Sequence, residues 1–436
     1  MHFIDLPEPS LLESGAAGHP LSRFSFLAAD PVSSIAASAG EWPAVRERIR
    51  ATLVAPPSRL GHLPPFQGGW VGWFTYELAT AFDRIARHAN EPCPVPDIAL
   101  GLYDWVIAWD HLLGDIWLIS SGIDATGQGN PHRARERADA VLAHWRTNPP
   151  VRSAATASPD IAPRSDFTGA AYQATVERVV EYVIAGDIFQ ANLAQRFSLP
   201  FGGDALALYA DLTRRSAAPM AAFVWRGNVS IASVSPERFV RLEMPTRRVE
   251  TRPIKGTRRR DADAARDSAL AQDLRSSEKD RAENVMIVDL MRNDLSRVCV
   301  PGSVRTPELC ALESHPTVHH LVSIVTGELR ADQDALDLLA ATFPGGSITG
   351  APKLRAMEII GELEPVARGV YSGSIAWIGL DGAMDTSIAI RTATVAGGIA
   401  TWHSGGGITA QSAPIDEYQE TLDKARALSA AVMATR

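Results

Sequence analysis

Apolar residues at Tyr172, Val176, Val179, Val180 and Val183 recur at helical spacing between Thr168 and Gly186, and Gly186 is placed to end the helix. Downstream the period becomes that of strands. Phe223 to Arg226 and Val229 to Ser233 flank Gly227-Asn228, a pattern that predicts a hairpin. Two helical stretches follow, about Asp263 to Ser276 and Glu278 to Ser296. A further helix opens at Pro352, where a first-turn proline gives up an N–H that has no partner anyway. Tyr371 to His403 reads as a β meander broken at Asp381-Gly382 and Gly397-Gly398, and a last helix runs from about Asp416 to Met433. Nearer the start, Asp115 to Ile119 reads as a short apolar strand and Gly68 to Phe74 as a glycine-rich stretch. Strands and helices in mixed order, with hairpins in place of regular βαβ units, predict an α+β architecture of largely antiparallel sheets packed with helices.

The hydrophobic period lapses from Thr147 to Asp166, where proline, alanine and serine take over. This predicts a linker at 147–166 between a front region, residues 1–150, and a denser region, residues 167–436. With 46% hydrophobic and 21% charged residues the chain has the composition of an ordinary globular protein with a sizeable core. Its net charge of -8 argues against nucleic acid as a partner but leaves room for small anions at local basic clusters. Cys93, Cys299 and Cys310 are too few and too unevenly spaced for a disulfide framework or a zinc site. The first residues lack a basic leader, and no stretch reaches the ~20 apolar residues of a membrane span. A cytoplasmic protein is expected.

Several segments carry candidate chemistry. Lys255 lies in Thr251-Arg252-Pro253-Ile254-Lys255-Gly256-Thr257-Arg258-Arg259-Arg260, where neighbouring cations would favour its neutral, nucleophilic amine. Asp280 with Glu283, and Glu417 with Glu420, are acidic pairs at three-residue spacing on predicted helices, so each pair projects from one face. Four such carboxylates suit a hard cation such as magnesium if the helices meet. Lys279, Arg281 and Lys424 are alternative partners for the same acids. Phe343 to Lys353 is a glycine-rich lead into a helix without the ending of a Walker loop. Gly405, Gly406 and Gly407 permit close approach of backbone to a ligand, or else make a tight bend after a strand. Arg391 is expected in a strand from Ser387 to Thr392, sharing a face with Ser387 and Ala389 and needing a planar anion as partner. Tyr371 offers a hydroxyl nearby.

Together with Gly186-Asp187-Ile188-Phe189-Gln190, Ser235-Pro236-Glu237-Arg238-Phe239, Glu283 to Leu290, Thr349 to Lys353 and Glu417 to Thr421, these segments resemble the chorismate-utilising enzymes. The motifs follow in that family's order from about Phe167 onward, and the resemblance implies its two-lobed α+β fold. Gln190 stands where the water-adding members carry a lysine. Lys255, in Pro-Ile-Lys-Gly-Thr, resembles the members that aminate ring carbon four, whereas those that aminate ring carbon two typically have alanine there.

The resemblance implies a reaction of chorismate with ammonia to give 4-amino-4-deoxychorismate, on the way to 4-aminobenzoate and folate. Lys255 would be the nucleophile, Glu237 the general acid and His320 an active-site histidine, with His319 beside it as a competitor for that place. Glu283 and Glu420 would ligate Mg²⁺, supported by Asp280 and Glu417. Tyr371, Arg391, Thr349, Gln190 and the backbone of Gly405 to Gly407 would hold the substrate. An unperturbed lysine, with a pKa of about 10.4, is neutral in only about one molecule in a few thousand at pH 7, so this role demands a pKa lowered by burial or by neighbouring cations. No cysteine lies in a nucleophile-elbow context, so ammonia is expected from a separate glutamine amidotransferase subunit. Leu11 to Ser14 with Ser22 to Phe24 resemble the family's tryptophan pocket. Amination at ring carbon two, and a non-catalytic sensor of chorismate or tryptophan, are the alternatives.

Overall fold

The structure, a computed structural model, describes residues 2–16, 18–53, 61–85, 94–148, 161–315 and 318–436. Two large sheets dominate it, and every strand pairing among the described residues is antiparallel. The first sheet, of 11 strands, runs from Gly350–Ala351 through Gln190–Pro200, Ile399–Ile408, Thr392–Ala396, Val229–Ser235 and Met220–Arg226 to Ser10–Glu13, Phe24–Ala28, Trp105–Asp110 and Asp115–Ser120. The second, of 10 strands, runs from Ile254–Arg259 through Val318–Glu328, Arg248–Thr251, Arg238–Glu243, Met384–Ser387 and Ser374–Gly379 to Gly69–Phe74, Ile98–Tyr103 and Ser33–Ala37. Each sheet therefore takes strands from both sides of residues 147–166. Residues 149–160 of that stretch lie outside the described residues, as does Cys93, while Arg164–Ser165 adds a short strand beside Gln190–Pro200.

The sheets pack face to face, and helices cover their outer faces. Val224, Val229 and Ile231 of the first sheet meet Trp73, Ala99 and Ile375 of the second between the layers. On the outer side of the first sheet, Phe197, Phe223 and Trp402 pack against Leu208 and Leu212 of the Ala205–Arg215 helix and Leu428 and Val432 of the Pro414–Thr435 helix. Strands buried on both faces read as continuous apolar runs, which explains Trp105 to Ala108: Trp105 and Ile107 enter one cluster, Val106 and Ala108 another.

The helices lie where the periodicity predicts them, at Gly169–Ile184, Ala264–Ser276, Glu278–Ser296 and Pro414–Thr435, and the hairpin turns at Gly227-Asn228. Thr168, Asp263 and Ser277 cap their helices through side-chain oxygens that accept backbone N–H groups. Pro352 is the N-cap of the Lys353–Leu363 helix and not its first residue.

The expected meander from Tyr371 to His403 is a correction. Ser374–Gly379 and Met384–Ser387 belong to the second sheet, whereas Thr392–Ala396 and Ile399–Ile408 belong to the first. The chain crosses between layers at residues 388–391, so Arg391 lies in a crossover and shares no strand face with Ser387 and Ala389. Its φ of 50° is left-handed backbone that non-glycine residues seldom adopt outside constrained sites. A second crossover, Pro236-Glu237, lies alongside: Ile388 N–H donates to Glu237 O (3.0 Å) and Ser235 Oγ donates to Ile388 O (2.6 Å).

Candidate active site

The two crossovers bring Glu237 and Arg391 to the space between the sheets, and a strand irregularity brings Lys255. Strand Ile254–Arg259 pairs with Val318–Glu328 at Ile254↔Val322 and again at Thr257↔His320, and the register shifts between them. Such a bulge re-aims the side chain it carries. Gly256 completes it at φ 85°, pressed so closely on Asp280 and Leu274 that a Cβ would lie 2.9 Å from each.

Lys255 is nearly enclosed, with 14% of its side chain exposed, and its Nζ lies 3.9 Å from Glu283 Oε2. Burial pulls its pKa below the usual lysine value against the opposing pull of Glu283, and Lys424 adds to the lowering. Of the two expected causes, burial dominates, and the neighbouring cation that contributes is Lys424 and not an arginine of the run. Arg252 is paired with Glu313, Arg258 with Asp273 and Asp280, and Arg260 with Asp267.

Glu237 is 5% exposed and its Oε1 accepts a hydrogen bond from Ser347 Oγ (2.8 Å). Burial raises its pKa to about 7, against the lowering effects of Ser347 and Lys255. The pair thus has the opposed shifts of a nucleophilic amine and a proton donor.

Arg391 has no hydrogen bond or ion pair from its guanidinium among the described residues, and burial alone lowers its pKa. A cation held in that way has its hydrogen-bonding capacity free for an anion. Tyr371 stacks on His403 with ring centroids 5.0 Å apart, and its hydroxyl likewise makes no hydrogen bond among the described residues. His320 is buried with Nδ1 2.8 Å from Thr257 Oγ1; burial, then Arg391 and His315, lower its pKa to about 3, so it is neutral near pH 7. Strand alternation sends His319 the other way, to Ser314 and Asp267. Thr349 donates its hydroxyl to Gly345 O (3.0 Å), and its carbonyl accepts the Asn192 N–H (2.7 Å), so it ties the glycine-rich loop to strand Gln190–Pro200.

Gly405, Gly406 and Gly407 form no bend; they continue strand Ile399–Ile408 in pairs with Ala194, Leu193 and Asn192. A Cβ at Gly407 would collide with the Gln190 carboxamide and lie 3.4 Å from Lys255 Nζ, and one at Gly406 would lie 3.1 Å from Glu417 Oε2. Lys424 Nζ donates to Gly405 O (2.9 Å) and lies 2.6 Å from Glu420 Oε1. Glu417 lies 4.0 Å from Lys279 Nζ and accepts from Ser412 Oγ (2.6 Å).

The two acidic pairs sense one another. Burial raises the pKa of Glu283, with Asp280 and Glu417 adding repulsion, and burial raises that of Glu417, with Glu420 adding repulsion. Carboxylates that repel from two helices are the oxygen donors magnesium takes, although Glu420 is half exposed and no three of the four acids bring ligand atoms within 4.8 Å of one another among the described residues. Lys279 and Lys424 balance part of the charge, as the spacing allowed, while Arg281 makes no ion pair with these acids among the described residues. The one trio of histidine and acidic residues with ligand atoms within 4.8 Å of one another among the described residues is His19, Glu313 and His315. Its imidazoles stack at 24°, which aims their lone pairs along near-parallel planes and not at one ion.

At the N-terminal edge, Ser14 Oγ donates to Phe24 O (2.6 Å), Ser14 N–H donates to Ser25 Oγ (3.0 Å) and Tyr209 Oη donates to Glu13 Oε2 (2.7 Å). The Leu11 to Ser14 and Ser22 to Phe24 segments are therefore one cluster. Ser347 and Asn192 had not been singled out by sequence; Ser347 lies inside the glycine-rich loop, which was the available signal.

A family model described as chorismate binding enzyme matches residues 8–430. Among curated proteins, Aminodeoxychorismate synthase component 1 of Salmonella typhimurium is 43% identical, over 96% of this chain and 92% of its own. Anthranilate synthase component 1 of Bacillus caldotenax is 36% identical, over 99% of this chain and 90% of its own. Among solved structures, anthranilate synthase component I from Streptococcus pneumoniae superimposes with a TM-score of 0.82 at 31% identity, over 94% of this chain and 93% of that one. The menaquinone-specific isochorismate synthase from Escherichia coli shares the fold, with a TM-score of 0.73 at 17% identity over 98% and 88%. From the match along nearly its whole length, this chain belongs to the family of chorismate binding enzymes.

Proposed function

We propose that the protein is an enzyme that aminates chorismate at ring carbon four, giving 4-amino-4-deoxychorismate, the activity named for relatives 43% and 42% identical to it. The observation that carries this reading is Lys255, an amine with a lowered pKa in a β-bulge, in the electrostatic reach of Glu237, a carboxyl whose pKa is raised to about 7. Neutral Lys255 adds to ring carbon two while both ring double bonds shift and the hydroxyl at carbon four leaves. Glu237 gives that hydroxyl its proton, so it departs as water. Ammonia then adds at carbon four and returns a proton to Glu237, the double bonds shift back, and the Lys255 amine is expelled. Chorismate and ammonia thus become the amino product and water.

Arg391 takes one substrate carboxylate, with Tyr371 and the Gly405 to Gly407 backbone around it. Glu283 and Glu420 would hold magnesium directly, with Asp280 and Glu417 supporting them through water. When bound, the ion would supply positive charge to the ring carboxylate. Relatives are named as component 1, which supports a second component, and a glutamine amidotransferase is the ammonia source that fits. The Leu11 to Ser14 and Ser22 to Phe24 cluster is proposed to bind tryptophan. A cytoplasmic place in folate synthesis follows from the product; no helix among the described residues is long and apolar enough to cross a membrane.

Amination at carbon two is the second reading, favoured by the 0.82 superposition on an anthranilate synthase component. Incubation with chorismate, magnesium and a fixed concentration of free ammonia, with products identified by mass, separates them. Aminodeoxychorismate from the native chain, with turnover abolished in Lys255→Ala, is the expected result. Anthranilate would transfer the chain to the second reading, and chorismate bound but not consumed would make it a sensor.

A further inference from the structure

Strand Gln190–Pro200 buries two faces of different character. Ala191 and Leu193 pack outward among Tyr172, Val176 and Ile360, whereas Gln190 and Asn192 look inward, toward the space between the sheets. The inward pair is unsatisfied. Both carboxamide atoms of Gln190 and Nδ2 of Asn192 are buried without a hydrogen-bond partner among the described residues, on side chains of residues 1% and 6% exposed. Buried amides lacking partners destabilise a fold, and native structures keep few of them.

Asn192 has no freedom to find a partner by moving its backbone. Its N–H donates to Thr349 O (2.7 Å), and its carbonyl accepts from Arg368 Nη2 (2.6 Å). In register it stands opposite Gly407, where the Gln190 carboxamide occupies the place a Cβ would take and Lys255 Nζ lies 3.4 Å from that point. An amide held rigidly, deprived of an internal acceptor and placed across a glycine from the nucleophile is complementary to something that arrives with an oxygen.

We propose that Asn192 is a substrate-binding residue whose Nδ2 donates to an oxygen of the ring substrate lying across Gly407, with the Gln190 carboxamide beside it. This rests on the chorismate reading above. It assigns the inward face of the strand a polar readout that apolar side chains there would not supply. A site built to hydrogen-bond its substrate loses much of its discrimination when one donor goes, because the substrate oxygen is then buried unpaired.

The test uses the full chain with Asn192→Leu and Asn192→Asp. Three readouts are taken: products by mass, kcat and KM for chorismate, and the rise in thermal midpoint on adding chorismate with magnesium. For Asn192→Leu we expect kcat/KM to fall about 10- to 100-fold and the chorismate-induced rise to shrink, while the midpoint without ligand stays level or climbs as the unsatisfied amide is removed. Asn192→Asp keeps the shape but only accepts or repels near pH 7, so it loses at least as much and guards against a packing effect of leucine. Values of kcat/KM within twofold of native in both variants, or a full chorismate-induced rise in both, would overturn the proposal. If the native chain makes no aminodeoxychorismate, the functional reading fails on the first readout, while the thermal rise still reports on Asn192.

Discussion

Arg368 is buried and Arg391 half-buried, and they could hardly be treated more differently. Arg368 donates to both oxygens of Glu364 (2.6 and 2.8 Å), to Ile348 O (2.8 Å) and to Asn192 O (2.6 Å), and its face lies over Tyr76. Burial would pull its pKa down, but Glu364 more than offsets that and the pKa is raised. Arg391 has none of these partners, and its pKa is lowered by burial alone. The saturated guanidinium closes a network that joins the glycine-rich loop to strand Gln190–Pro200. The unsaturated one sits at a crossover without a counter-charge among the described residues. Burial acts on both; what separates scaffold from site is whether the fold supplies the counter-charge.

The same rule ranks the substitutions. Glu237 lacks a compensating cation strong enough to reverse its burial, so it belongs with Arg391. Glu237→Gln keeps the hydrogen bond from Ser347 but cannot give up a proton, and turnover should fall about 100- to 10,000-fold. Because the native pKa is raised from 4.5 to about 7, the folded chain keeps a proton there that the unfolded chain has lost between those values. Glu237 therefore contributes a decline in native stability as pH rises from 4.5 to about 7, and the glutamine variant should show a shallower decline over that range. Denaturant titrations of both chains across that range check it; parallel stability curves would remove Glu237 from the group of unsatisfied residues.

Arg368→Met lies on the other side of the comparison. It strands Glu364 in the interior, and uncompensated buried charges of that kind cost about 3–5 kcal/mol. Denaturant unfolding should show a loss of that order, with expression falling alongside. An Arg368→Met chain of native stability that had merely lost affinity for chorismate would dissolve the contrast, because Arg368 would then be serving the ligand and not the fold.

Much of this was legible in advance, for a physical reason. The helices at Gly169–Ile184, Glu278–Ser296 and Pro414–Thr435 announce themselves through local periodicity and caps, which need no knowledge of distant residues. Lys255, Glu237 and the two acidic pairs could be picked out by residue type and motif. Which sheet each strand joins could not, since residues 388–391 look as apolar as a strand interior and only long-range packing turns them into a crossover. Burial and neighbouring cations were both open as causes of the lowered Lys255 pKa, and the sequence could not rank them. A run of arginines in sequence suggests a cationic field, yet Arg252, Arg258 and Arg260 each meet an acid brought in from elsewhere, leaving burial as the dominant influence. Asn192 was invisible because a strand's alternation does not say which face is the interior of a site.

The smallest of these effects is the most informative about the comparison itself. Arg391→Met removes a cation with no internal partner, so no acid is stranded and stability should hold level or rise slightly, the opposite of Arg368→Met. What should change is substrate affinity. Hydrogen bonds to charged groups contribute about 1.5–3 kcal/mol, which corresponds to a rise in KM for chorismate of about 10- to 150-fold. Removing Arg391 also relieves His320, whose pKa is held down to about 3 by burial first and by Arg391 next. In the variant that imidazole should titrate at a higher pH, a shift that proton NMR of the histidine ring can follow. A variant that lost stability without losing affinity would mean that Arg391 has an internal partner after all and belongs beside Arg368. A raised KM with a relieved histidine would fix it as the charge that the fold leaves for the substrate to satisfy.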